Sequence, residues 1–284
     1  MKLTIYEQAN DFLDAALEPL LQEEERNNLI LGIALRVREG RSYSEGTPLF
    51  LTMHDGDTLI AAAIRTPPYN MILHCQADRL DALDAVASHL IGIGHPLPGV
   101  NGTADMATAF AECWKRQTGQ PSHVRMSQRI YTLTEVTQPR NVSGDMQWAR
   151  EEDVDKLAQW FLGFCDEAVP EAPPPDPAEN VRQFMLAGKL AVWDDGGAVS
   201  MVGSSRGTPN GATISAVYTP PEHRGSGYAS ACVAALSQWL LDDGKRFCTL
   251  YTDLSNPTSN EIYQDIGYRP IADCSMIMLG ELKE

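Results

Sequence analysis

The densest chemistry in the chain lies between Ile214 and Ala229, ISAVYTPPEHRGSGYA. An apolar run ends at two prolines and a charged turn follows. Arg224-Gly225-Ser226-Gly227-Tyr228-Ala229 then leads into an Ala-rich helical pattern. Glycine adopts backbone angles that other residues avoid, and it lets a ligand come close to the N–H groups. The first N–H groups of a helix have no intrahelical partner and sit at the positive end of its dipole. Strand, Gly-bearing loop and helix N-terminus in that order make an anion cradle suited to phosphate. It is not a P-loop, because no Gly-Lys-Ser/Thr is present. It is not a dinucleotide fingerprint either, because position 230 is Ser where a third Gly would stand. A Gly-x-Gly turn by itself is most often only structural.

The surrounding residues narrow the reading. Arg-x-x-Gly-x-Ala directly after a strand ending Val-Tyr-Thr-Pro resembles motif A of the GNAT superfamily of acetyl-CoA-dependent N-acyltransferases. The family pattern Arg/Gln-x-x-Gly-x-Gly/Ala is met by Arg224, Gly227 and Ala229. A second family signature, a strand followed by Asn, a short Tyr-bearing helix and Gly-Phe/Tyr, is similar to the run from Asn256 through Tyr263 to Gly267-Tyr268. The resemblance covers residues 145–284. It implies an α+β fold, a mixed α/β sheet of the GNAT type, and direct transfer of an acetyl group from acetyl-CoA to a small primary amine.

The same resemblance implies roles for single residues. The N–H groups of Gly225, Ser226, Gly227, Tyr228 and Ala229 would hold the pyrophosphate, with Arg224 adding charge or supporting the loop. Val217, Tyr218 and Thr219 would lie along the cofactor arm, on the free edge of a strand that splays from its neighbour. The Val217 N–H would lie near the thioester carbonyl. Tyr263 would be the general acid for the leaving thiolate; the plainer reading is an aromatic packed on the core with Ile262 and Ile266. Asn256 would contact the cofactor arm, or else cap the turn before Pro257. Asp166 and Glu167, with Glu171, fall where the family binds its acceptor; as exposed acids they also fit plain surface. No carboxylate stands between Gly211 and Thr219 to act as base. A water wire or an amine arriving neutral would then serve. A silent acyl-CoA-binding or regulatory module of the same fold is the alternative to an enzyme.

The elements that must position these groups follow from periodicity. Helical spacing predicts helices over Ala9–Leu21, Asn27–Arg38, Leu80–Ile91, Thr103–Gln117, Glu151–Phe164, Pro177–Gly188, Ser230–Asp243 and Ser259–Asp265. Alternation and β-branched runs predict strands over Pro48–Met53, Leu59–Ile64, Met71–Cys75, Arg125–Leu133, Leu190–Asp194, Ala198–Ser205, Ala212–Thr219, Phe247–Thr252 and Ser275–Leu279. Gly94–Asn101 reads as a Pro/Gly loop. The polar stretch from Thr134 to Gly144, with Pro139, is the best boundary. It divides the chain into a domain at 1–138 and an acetyltransferase domain at 145–284. Both halves show a similar element order without residue-level repetition. The first half lacks the motif: its nearest loop, Pro96 to Gly102, has no Arg. It reads as a degenerate GNAT-like domain, as in tandem GNAT proteins.

Composition fits this picture. Of 284 residues, 43% are hydrophobic, enough for packed cores. No run of about 18 apolar residues is long enough for a membrane span. The net charge is −16, which disfavours nucleic acid and anionic membranes. Residues 1–140 carry 12 basic and 17 acidic groups, net −5; residues 141–284 carry 10 and 21, net −11. That bias predicts a cationic acceptor if the charges cluster near the site, and a merely solvated surface if they do not. The cysteines at 75, 113, 165, 232, 248 and 274 stand singly, with no metal-ligand spacing. A reducing cytoplasm and a monomer or homodimer are the matching expectations.

Overall fold

The computed structural model describes residues 1–41, 46–168 and 176–281. It divides into two compact units, Met1–Ile130 with Ile271–Glu284, and Tyr131–Pro270.

The first unit contains β1 (Lys2–Tyr6), α1 (Ala9–Leu21), α2 (Asn28–Arg38), β2 (Leu49–Asp55), β3 (Thr58–Arg65) and β4 (Met71–Cys75). It continues with α3 (Asp81–Gly92), β5 (Gly99–Thr103), α4 (Ala104–Thr118) and β6 (Ser122–Leu133), whose last residues pass into the second unit. That unit contains β7 (Asp145–Trp148), α5 (Val154–Ala168), α6 (Pro177–Leu186), β8 (Leu190–Asp194), β9 (Ala198–Ser205) and β10 (Gly211–Tyr218). After α7 (Tyr228–Asp242), β11 (Phe247–Asp253) and α8 (Pro257–Asp265), β12 (Arg269–Leu279) returns to the first unit. No helix among the described residues is long and apolar enough to cross a membrane.

Strand, two helices, three strands, helix, strand, helix, strand: both halves follow this order. The sheet orders match as well. The first unit runs β1-β2-β3-β4-β5-β12 and the second β7-β8-β9-β10-β11-β6. In each the first three pairings are antiparallel and the fourth is parallel. Each sheet therefore takes its last strand from the other half of the sequence. The bounds of the units accordingly differ from a cut at the 139–144 linker. β6 carries Tyr131 and Leu133 into the second core, and β12 pairs with β5 from Cys274↔Thr103 to Met278↔Gly99.

That pairing corrects the reading of Gly94–Asn101 as a loop. Gly99 lies inside β5, and a Cβ there would sit 2.6 Å from the Ile277 carbonyl oxygen of β12. Its glycine serves close backbone approach, not a turn. β1 and β7, also unexpected, are short strands at the ends of their sheet orders, with too few residues for alternation to show.

The second unit holds its helices on two faces. α7 packs Ala231, Cys232, Val233, Ala234 and Leu236 on Val202, Ala212, Ile214 and Leu250. Its small side chains let helix and sheet approach closely. On the other face α5 and α6 pack Leu157, Ala158, Trp160 and Val181 on Leu190, Val192 and Met201. The parallel pair β10–β11 is closed at its base by Gly211, which lies opposite Phe247. A Cβ on Gly211 would fall within the Phe247 ring. Gly211→Ala is expected to lower unfolding stability by about 1–3 kcal/mol through overpacking. Phe247→Leu in the same chain should recover part of the loss; chemical denaturation of both variants checks this, and unaltered stability in Gly211→Ala would sink it.

Candidate functional site

The site is built where β10 leaves β11. Their parallel pairing covers Gly211↔Phe247, Ala212↔Cys248 and Thr213↔Thr249 and then stops. β10 continues to Tyr218 and β11 to Asp253, so both run on without each other. On its other side β10 stays paired with β9, but the register slips between Ser215 and Tyr218. Ala216 takes φ +49° there. One extra residue in a ladder bends the strand and strengthens its twist, and a left-handed alanine is a strained way to achieve it. The free edge of β10 therefore offers backbone donors and acceptors to an extended ligand. β10 ends because Thr219 is followed by Pro220 and Pro221, which have no N–H for a ladder.

The loop after it is open. Gly225 and Gly227 have φ +81° and +79°. Space around Gly225 is empty, so the backbone angle alone requires glycine; at Gly227 a Cβ would also approach Val142 Cγ2 to 3.0 Å. Gly227 caps α7 without a side-chain bond, and among the described residues no acceptor serves the N–H groups from Gly225 to Ser230. These donors lie in an exposed loop at a helix N-terminus, an arrangement suited to an anion. Tyr228 and Ala229, read from the sequence as loop, form the first turn of α7.

Several expected site residues meet here. Arg224 donates from Nε to the Thr219 carbonyl at 2.8 Å and from Nη2 to Glu167 Oε1 at 2.7 Å. Its guanidinium also lies 5.7 Å from the centroid of the Tyr218 ring. Arg224 thus staples the loop to the end of β10 and to α5. Glu167 is held in this ion pair, and Asp166 stays exposed beside it. Asp176 caps α6 by accepting from the Glu179 N–H, and Glu171 lies outside the described residues. The expected acidic patch is thus partly committed to structure. Tyr228 donates to Asp195 Oδ2 at 2.6 Å, and Ser143 does so at 2.7 Å. Those two bonds hold the Asp195 carboxyl below its ordinary range.

α8 carries the remaining two. Asn256 caps it, its Oδ1 accepting from the Ser259 N–H at 3.1 Å. Tyr263 is half-buried, with its ring 6.0 Å from Tyr268 and edge-on to it. Its hydroxyl makes no hydrogen bond to a described residue, and burial pushes the phenol up to about 12.

Sequence reasoning missed the supports. Gly163 of α5 seats Tyr218, since a Cβ there would lie 2.5 Å from the Tyr218 hydroxyl; a glycine inside a helical pattern was its only signal. Ser200 bonds the Tyr218 carbonyl and the Thr219 hydroxyl at 3.2 and 2.8 Å. Asn260 ties α8 down: Tyr131 and Thr252 donate to its Oδ1 at 2.8 and 2.9 Å, and its Nδ2 donates to the carbonyls of Asp253 and Asn256.

The family comparison agrees with this geometry. The sequence model of the FR47-like protein family matches residues 196–277. No curated protein matches the chain. Among solved structures, a GCN5-related N-acetyltransferase from Sphaerobacter thermophilus aligns with TM-score 0.60 and 15% identity, over 97% of this chain and 95% of that one. A GNAT-family acetyltransferase from Colwellia psychrerythraea gives 0.58 and 12%, over 98% and 99%. The fold is that of the GNAT superfamily. A tandem GNAT protein from the clavulanic acid biosynthesis pathway matches over 100% of both chains, with TM-score 0.56 and 13% identity.

Within this GNAT fold the first unit repeats the strand-loop-helix order at β4 and α3, yet its loop is closed. Residues 76–80 include no positive φ. The N–H groups of Gln76, Arg79, Ala82 and Leu83 already donate to backbone carbonyls. Asp81 and Asp84 fill the first turn of α3, where an anion would be repelled. This loop, not Pro96 to Gly102, is the counterpart of the cradle. In the second unit, Asn260→Ala is expected to strip Tyr131, fully buried, of its partner, at a cost of about 1–3 kcal/mol. Denaturant unfolding of the variant measures it; a loss within error would show α8 to be held by other contacts.

Proposed function

We propose that the chain is an acetyl-CoA-dependent N-acetyltransferase acting on a small amine. The observation that carries this reading is the free edge of β10 leading directly into an exposed loop of unpartnered N–H groups. An extended thiol arm and a pyrophosphate need those two features in that order. The matched GNAT acetyltransferases, one of them described as without AcCoA, support the same assignment.

The residues present fit the cosubstrate. Backbone N–H groups from Gly225 to Ala229 bind the pyrophosphate, at positions where side chains other than glycine are excluded by φ at 225 and 227. The edge of β10 through Val217 and Tyr218 binds the arm, and Arg224 keeps the loop in register with that edge. Acetyl-CoA supplies the thioester: the amine nitrogen bonds to its carbonyl carbon, the C–S bond breaks, the amine sheds a proton and the thiolate gains one. Tyr263 donates that second proton. A phenol at about 12 remains protonated at every working pH, so the donor is always charged with its proton. It is a weaker acid than a thiol near ~8.5, so its usefulness depends on adjacency.

Two outcomes test this. Calorimetry of the whole chain should give one coenzyme A per chain, and Gly227→Glu should weaken binding more than about tenfold by placing a carboxylate in the anion site. Two sites per chain, or unaltered affinity, would refute the cradle. Thiol release from acetyl-CoA with a panel of amines should rise from neutral toward alkaline pH as the amine loses its proton. With the phenol at about 12, no descending limb from Tyr263 should appear below roughly pH 11. Tyr263→Phe should lower kcat by about 10²-fold or more with little change in acceptor KM. Undiminished turnover in that variant would assign the proton to water. Coenzyme A binding without thiol release from any amine would make the chain a binding module.

A further inference from the structure

On the face of β9, β10 and β11 turned away from α7, the sheet is polar where a buried surface is ordinarily apolar. Thr213 lies beside Ser205 on β9 and Thr249 on β11. The three are 1%, 7% and 0% exposed. Thr213 and Thr249 share a hydrogen bond of 3.1 Å. Ser205 Oγ is buried and has no hydrogen-bond partner among the described residues. Two residues along β10, on the same face, the Ser215 Oγ is buried and unpartnered as well. Ser215 pairs with Gly203, over which Phe184 of α6 lies; a Cβ on Gly203 would be 3.2 Å from that ring. One turn before Phe184 on the same helix face, Asn180 has a buried Oδ1 without a partner.

Buried polar atoms are nearly always hydrogen-bonded, and unpaired ones are destabilising. Three on one side of a sheet, at the root of the gap that opens beyond Thr213, therefore ask for a polar ligand. The opposite face offers no such groups, being filled by Ala212, Ile214 and α7. The chemistry of that ligand follows from the donors. Hydroxyls both give and accept hydrogen bonds and carry no charge. β10 has no carboxylate, and two of the acids near the site are committed to other contacts, Glu167 to Arg224 and Asp176 to the α6 N-terminus. A polyamine would gain no ion pair from these hydroxyls.

We infer that the acceptor is an uncharged-bodied, hydroxyl-bearing amine of the amino-alcohol or amino-sugar class, with its hydroxyls held by Ser205 and Ser215. The inference rests on the acetyltransferase reading for the reacting amine alone. A matched pair of probes tests it: 2-amino-1,3-propanediol against 2-aminopropane, the same skeleton without hydroxyls, compared per unit of neutral amine. A site that pairs with a substrate hydroxyl rejects the analogue lacking it. Wild-type kcat/KM should favour the diol by at least about tenfold. Ser215→Ala and Ser205→Ala should each erase most of that preference, with the rate on 2-aminopropane and the affinity for coenzyme A retained. Equal rates on the two amines in the wild type, or equal losses on both in the variants, would overturn the assignment. Should neither amine release thiol, calorimetric titration of the diol into the chain saturated with coenzyme A decides the hydroxyl contacts separately. Binding that is lost in Ser215→Ala supports it, and absence of binding overturns it.

Discussion

Everything at the site depends on one broken ladder. β10 and β11 share three residue pairs and then part, while β10 remains anchored to β9 by a shifted register. Backbone groups left unpaired in a buried sheet would be a defect unless something extended and polar takes the edge. The structure holds the separation open with specific parts. Gly211 and Phe247 keep the base of the pair tight, and the left-handed Ala216 turns the strand. Tyr218 is seated on Gly163 of α5, and Ser200 fixes its carbonyl. Arg224 then ties the loop back to Thr219, so that the unpartnered N–H groups at the start of α7 follow closely on the strand end. A short, stapled turn joins strand edge and helix end.

The two units show one order of elements with two different loops at the same place. The first unit keeps the order of elements, the parallel pair and the helix behind it. Its loop differs in backbone angles and in chemistry. Arg79 bridges Asp55 and Asp81 at 3.1 and 3.2 Å, and the loop donors are internally satisfied. An anion there would have to displace existing bonds and face two carboxylates. A helix N-terminus can satisfy its donors internally or leave them open, and each unit does one of these.

Much of the fold was legible in the sequence because its signals are local. Helical spacing marked Ala9–Leu21 to the residue, and β4, β8 and β9 likewise matched their runs. The cradle was legible because glycine at 225 and 227 reports backbone angles directly. What stayed hidden was set by contacts distant in sequence. Glu167 read as a candidate for a substrate amine, yet its partner is Arg224, 57 positions away. Asn260 looked like any residue of a short helix, while its bond to Tyr131 spans 129 positions. Gly99 looked like a loop residue because the strand it admits, β12, comes from the far end of the chain. The hydroxyls of Ser205 and Ser215 gave no signal, since serine on a strand is ordinarily solvated and only burial makes it informative.

The exchange of last strands has a consequence for how the chain is made. When residues up to Leu133 have been synthesised, the first half possesses every element it will ever contribute, yet β5 lacks its partner until Cys274 to Met278 exist. An edge of β5 thus stays uncovered through more than half of synthesis, and Gly99 and Gly102, with no side chains to shield it, lie on that edge. Each sheet is complete only when both halves of the sequence exist, and deleting either half orphans a strand of the other.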